Sequence, residues 1–319
     1  MRAAFADSLL HLAAVDERIV LLTGDLGFAV FEPFAERFPD RFLNAGAAEQ
    51  NMVGLATGLA EAGYTPYVYS IATFASMRAY EFVRNGPILH QMPVRIVGVG
   101  GGVDYGHNGV THYALEDAAI MRVQPGIAVI APADPEQTRT ALPAVQALPG
   151  PAYLRLGKAS DPVPGLDGRF RLGRAERIGD GRDAVIVARG GMAASAVATA
   201  HLLAQRGIDA GVLVVSSLAP APVEDLAETL ADVPLAITVE AHYVTGALGS
   251  LVAEVIAEHN LDCRLLRSGL RAMPIGDTGS RDHLHDRHGL TPARLADAAL
   301  DACAVPTSMP ATTGAAHPS

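Results

Sequence analysis

Among the residues able to do chemistry, Glu49 is set apart by its surroundings. It follows Asn44-Ala45-Gly46-Ala47-Ala48 and opens Gln50-Asn51-Met52-Val53-Gly54-Leu55-Ala56-Thr57-Gly58-Leu59-Ala60, a stretch rich in Gly and Ala. A carboxylate at the start of such a helix gains from the helix dipole, and from position alone it needs no further role. Phe74, in Tyr69-Ser70-Ile71-Ala72-Thr73-Phe74, offers a flat apolar face to the core or to a ring-shaped ligand, and Arg78-Ala79-Tyr80-Glu81 follows it. His107 and His112 flank Asn108-Gly109-Val110-Thr111. Two histidines around a glycine-containing turn favour a site over a simple loop cap, since imidazole passes protons or steadies a developing alkoxide.

Other clusters read as structural. His283, His285 and His288 stand with Asp282 and Asp286 in what the sequence presents as a solvated, charged loop, and no metal site is expected. Gly179-Asp180-Gly181 directly precedes an apolar run and reads as a tight turn. Gly98-Val99-Gly100-Gly101-Gly102 leaves a strand with no helix start after it, so it is not a dinucleotide fingerprint. Cys263 and Cys303 are far apart and outside any C-x-x-C, which argues against a disulfide framework or structural zinc and fits a reducing compartment.

The elements that must position these residues alternate in a regular way. Short apolar runs bounded by turn residues predict buried strands at Ile19-Val20-Leu21-Leu22, near Phe42-Leu43, and over 66–71, 94–99 and 128–131. The glycine- and alanine-rich segment 48–60 predicts a helix packed closely on the sheet. After Tyr153-Leu154-Arg155 comes 157–181, rich in Pro, Gly, Asp and Arg and without periodicity, the best candidate linker. The rhythm then restarts, with strands at 184–188, 210–215, 235–239 and 263–266 and helices over 192–206, 223–230 and 249–259. The fold class is therefore α/β, two domains with mostly parallel sheets flanked by helices: 1–156, a linker 157–181, a second domain 182–305, and a small, polar, disordered tail 306–319.

Composition sets outer limits. At 319 residues, with roughly 100–200 residues per domain, two domains and an enzyme or enzyme subunit are expected. The 34 acidic against 24 basic residues, a formal net charge of −10, argue against nucleic-acid binding. No apolar run approaches the ~20 residues of a membrane span, and the N-terminus lacks the apolar region of a signal peptide, so a cytoplasmic protein is expected. Lys158 is the only lysine, which reads as genome composition.

The string around Glu49 resembles the pyrimidine-binding domain of the thiamine diphosphate enzymes of the transketolase family. So do the segment from Tyr69 to Glu81, the loop Gly106-His107-Asn108-Gly109-Val110-Thr111-His112, which is similar to the family's G-x-x-G-P-T-H, and Val129-Ile130-Ala131-Pro132-Ala133-Asp134. Val239-Glu240-Ala241-His242, Gly246-Ala247-Leu248-Gly249-Ser250 and Gly289-Leu290-Thr291 resemble the transketolase C-terminal domain, so the match spans nearly the whole chain up to the tail. The resemblance implies that Glu49 hydrogen-bonds the aminopyrimidine ring nitrogen opposite the amino group, and so promotes loss of the thiazolium proton. It implies that Phe74 stacks on that ring, with Tyr69, Arg78 and Tyr80 in the same segment, and that His112 lies beside the substrate carbonyl with His107 and Asn108 nearby. Arg155 resembles a position that meets a substrate phosphate, with a surface arginine as the alternative. Departures from sugar-phosphate transketolases at Asn108, Gly100, Val110 and Tyr113 imply an altered substrate pocket.

The diphosphate of this cofactor is held in the family through Mg2+ by a separate domain with G-D-G and a later asparagine. After Gly179-Asp180-Gly181 the next asparagine is Asn260, too far to serve. The resemblance therefore implies a split enzyme: a smaller, C-terminal-type subunit, active only with a separate diphosphate-binding chain that holds Mg2+, in an α2β2 heterotetramer acting on small carbonyl or sugar substrates. Two-carbon ketol transfer is the default activity. The alternatives are the β subunit of a 2-oxo acid dehydrogenase E1, an enzyme like deoxyxylulose phosphate synthase, or a noncatalytic regulatory or scaffolding subunit.

Overall fold

The computed structural model describes residues 1–158 and 161–304, so the expected tail 306–319 lies outside the described residues. The first half runs α1 (Arg2–Val15), β1 (Ile19–Thr23), α2 (Glu32–Arg37), β2 (Phe42–Asn44), α3 (Glu49–Glu61), β3 (Thr65–Ile71), α4 (Tyr80–Val83), β4 (Arg95–Val99), α5 (Asp117–Arg122), β5 (Ala128–Ile130), α6 (Pro135–Gln146) and β6 (Ala152–Leu156). The second runs β7 (Glu176–Ile178), β8 (Ala184–Ala188), α7 (Ala193–Ala204), β9 (Ala210–Val214), β10 (Ser217–Ala219), α8 (Val223–Ala231), β11 (Leu235–Tyr243), α9 (Leu248–Glu258), β12 (Arg264–Leu270), α10 (Arg281–Arg287) and α11 (Pro292–Ala304).

Central strands carry continuous apolar runs because helices cover both faces of each sheet. Every residue of β1, β3, β4, β6 and β8 is buried. The first sheet has the order β10-β5-β6-β4-β3-β1-β2 and the second β12-β11-β8-β9-β7. All pairs are parallel except the edge strands β10 on β5 and β7 on β9. One core runs from Met52, Val53 and Val68 through Ala118 and Val129 to Leu226, Leu248 and Val252, so the two halves share buried apolar surface.

Two elements depart from the sequence reading. The segment expected as a structureless linker contains β7, where Glu176 is buried and ion-paired with Arg169 and Arg171. Its three residues show no apolar period because the strand lies at an edge. The second half also returns β10 to the first sheet, so the division between halves is crossed by a strand. Ser216-Ser217-Leu218-Ala219-Pro220 is too short and polar to announce it. The turn reading of Gly179-Asp180-Gly181 holds: it links β7 to β8, and a Cβ on Gly181 would lie 1.9 Å from the Gly211 nitrogen. Among the described residues no helix is long and apolar enough to cross a membrane.

Candidate active site

Three parallel strands end together. Gly24 follows β1, Ala72-Thr73-Phe74 follows β3, and the glycine-rich loop to Tyr105 and His112 follows β4. In open α/β sheets the carboxyl ends of the strands form the ligand crevice. The first residue of α3 reaches this place, so Glu49 is 1% exposed while a Cβ on Gly24 would lie 3.5 Å from its Oε1. Period-two alternation in β3 aims Ser70 at α3, and its Oγ donates to Glu49 Oε1 at 2.9 Å. Arg78 donates to the other oxygen, Oε2, at 2.7 Å, and its side chain is 45% exposed.

Phe74–Arg78 forms a wide, π-type helical turn, a geometry that recurs at functional sites. It brings the Arg78 guanidinium over the Phe74 ring, 4.2 Å from its centroid. On another side of Phe74 stands His112, ring to ring 5.2 Å and inclined at 66°. The His112 Nδ1 lies 3.0 Å from Thr111 Oγ1. Tyr105 is 6.3 Å from the His112 ring, and the Lys158 ammonium sits 3.5 Å from the Tyr105 centroid. A carboxylate, a guanidinium, a phenyl ring and an imidazole thus form one contiguous group: a buried acid, an apolar face and a polar ring.

Of the residues expected here, Glu49, Phe74, Arg78 and His112 come together. Tyr69 does not: it points to the opposite face of β3, buried between Phe5 and Phe31, because it alternates with Ser70. Tyr80 is turned towards α5, donating to the Ile120 carbonyl at 2.9 Å and accepting from Gln124. His107 and Asn108 are exposed on the helical turn Gly106–Asn108, four or more residues before His112.

Arg155 is not a surface arginine. It is 7% exposed, paired with Asp117 at 2.7 Å through Nε, and donates to the Ala114 and Ala241 carbonyls, tying β6 to β11. Burial would push Asp117 up, but the charges of Arg155, His242 and Arg189 and the Tyr153 hydroxyl outweigh it and hold its carboxyl below its ordinary value. The segment 281–287, expected as a charged loop, is the helix α10, capped by Ser280, with Leu284 in the core. Among the described residues no group of three side chains is placed to hold a metal ion. Sequence reasoning missed Ser70, Tyr105 and Lys158. Alternation marked the first, and its being the only lysine was the sole signal for the last.

Residues 1–162 match the model of the transketolase pyrimidine-binding domain and residues 173–295 that of the transketolase C-terminal domain. The chain belongs to the transketolase family. Among transketolase relatives, it is 37% identical over 268 residues to an apulose-4-phosphate transketolase subunit of Phocaeicola vulgatus, covering 83% of this chain and 86% of that one. It is 36% identical over 301 residues to a 6-deoxy-6-sulfo-D-fructose transketolase subunit of Clostridium sp. (strain MSTE9), covering 94% and 93%. A split-gene transketolase solved as an inactive β4 tetramer superposes with a TM-score of 0.87 at 36% identity, covering 95% of this chain and 97% of that one.

Proposed function

We propose that this chain is the smaller, C-terminal-type subunit of a two-component transketolase that moves a two-carbon ketol unit from a ketose to an aldehyde, with thiamine diphosphate as cofactor. The observation that carries this reading is the buried Glu49 carboxylate joined through the Arg78 guanidinium to the half-buried Phe74 ring. An acid and a flat apolar face set side by side fit a nitrogen heterocycle such as the aminopyrimidine. When bound, the cofactor supplies the nucleophilic carbon that cleaves the ketose carbon–carbon bond.

Glu49 would hydrogen-bond a ring nitrogen, and Ser70, which holds Oε1, leaves Oε2 as the atom to do so. Phe74 orients the ring. Arg78, half exposed, covers the Phe74 face and holds Glu49 Oε2, and would have to leave both for a ring to dock there. His112 stands on the substrate side and exchanges protons with the substrate oxygens. His107 and Asn108, exposed on the same loop, form its outer rim.

A diphosphate-binding partner that carries Mg2+ completes the site in an α2β2 assembly within the cytoplasm. Met77 (43%), Phe82 (39%) and Leu55 (42%) are exposed apolar side chains on the turn 74–78, α4 and α3, the elements that carry Arg78 and Glu49, and they suit a covering subunit. The test is a donor panel assayed on the two-chain enzyme. A ketose donor with an aldehyde acceptor should give product, whereas turnover only with pyruvate or branched 2-oxo acids would assign the chain to a dehydrogenase E1 or a deoxyxylulose phosphate synthase-like enzyme.

A further inference from the structure

His112 is carried by a loop whose two ends meet, since Gly102 and Ala114 pair through two backbone hydrogen bonds of 2.9 Å. Between them the chain makes two three-residue helical turns, Gly106–Asn108 and Val110–His112, joined by Gly109 at φ +77°. Turns this short have poorer hydrogen-bond geometry than an α-helix and hold themselves weakly. Their amides at Asn108, Gly109 and His112 donate three residues back, at 2.8, 3.3 and 3.0 Å, and of the residues in the two turns only Gly106 is buried. The place of the imidazole is therefore set by what the loop leans on.

Tyr113, the next residue, is 2% exposed and lies in one core cluster with Ala241, Leu284 and Leu290 of the second half. Its hydroxyl donates to the Asp277 carbonyl at 2.6 Å and to the Gly106 carbonyl at 2.9 Å, one proton shared between the loop and the segment before α10. That segment grips the loop from its own side: the Gly279 N–H donates to the Gly106 carbonyl at 3.2 Å, and a Cβ on Gly106 would lie 2.3 Å from the Gly279 oxygen. Asp277 is in turn held by Arg287 of α10 at 2.9 Å. Removing a donor from carbonyls in such a place leaves them short of a partner that water cannot readily replace.

We infer that Tyr113 is a positioning residue: its hydroxyl anchors the turn carrying His112 to the segment 277–279, so that the second half sets where the imidazole stands beside Phe74. The inference rests on the proton-exchanging role proposed above for His112.

The test is Tyr113→Phe, which keeps the ring in the core and removes the hydroxyl alone. In the two-chain enzyme kcat for ketol transfer should fall about tenfold, the scale of a sub-ångström displacement of a reacting group, with the cofactor concentration for half activity unchanged. With His112→Gln already in place, the same substitution should lower kcat by less than about twofold, because a residue that acts through His112 has nothing left to act on. Hydrogen exchange of the full chain reads the tie without turnover: the amides of Asn108, Gly109, His112 and Gly279 should exchange together, about 2–13-fold faster in Tyr113→Phe. No acceleration at these amides, an unchanged kcat, or an equal fall in both backgrounds would overturn the inference. Absence of ketol transfer by the unsubstituted two-chain enzyme would instead contradict the proposed function, and the exchange measurement would still decide the tie.

Discussion

Glu49 is held by two unlike donors, a buried serine hydroxyl on one oxygen and a half-exposed guanidinium on the other. Glu49→Gln keeps the shape but cannot exchange a proton as a carboxyl does, so turnover of the two-chain enzyme should fall by about 10²–10⁴-fold with folding intact. Turnover is read in ketol-transfer assays and folding by circular dichroism. Phe74→Ala removes the platform, and the cofactor concentration for half activity should rise by about 2–13-fold, the range for one aromatic contact of about 0.5–1.5 kcal/mol. Thiol labelling offers a separate check: burial pushes Cys263 up to about 11, so alkylation of the folded chain at neutral pH should stop at the exposed Cys303. Glu49, Phe74 and His112 were legible because each sits in a local string. The burial of Arg155 was not legible, because the Asp117 that pairs with it comes from α5 and nothing local announces that pair.

At the scale of elements, the approach of β4 to the end of β3 sets where Phe74 goes. A Cβ on Gly98 would lie 2.6 Å from the Tyr153 hydroxyl and 2.9 Å from the Ala72 Cα, two residues before Phe74. Gly98→Val should cost about 1–3 kcal/mol in urea unfolding, and a loss of cofactor affinity should accompany it. On α10, burial is the main cause that brings the His285 imidazole down to about 4, against about 6.5 in the unfolded chain. Between those values the unfolded state takes up a proton that the folded state refuses, so stability falls as pH drops from 6.5 to 4 and is untouched above that window. His285→Gln should remove that part of the acid slope, of the order of 1–2 kcal/mol after allowance for partial exposure. The long apolar strands and the glycine-rich helix α3 were plain in the sequence, since burial on both faces writes continuous apolar runs. The edge strands β7 and β10 were hidden, because three-residue antiparallel pairings made with distant strands leave no period to read.

The whole molecule carries two α/β halves that share a core, one bearing the acid, platform and imidazole, the other joined to it through β10 and the Arg155 ties. This architecture was legible from rhythm, and the family from its ordered motifs. The tie from Tyr113 to Asp277 was not, since the two lie 164 residues apart and meet only after folding. An apolar surface beside a polar site is consistent with half of a catalytic centre, and the most direct measurement is therefore one of complementation. With thiamine diphosphate and Mg2+ present, ketol transfer is measured for this chain, for the diphosphate-binding chain, and for an equimolar mixture with and without Glu49→Gln. Activity should appear only in the mixture and collapse with Glu49→Gln; comparable activity from this chain alone would contradict a divided site.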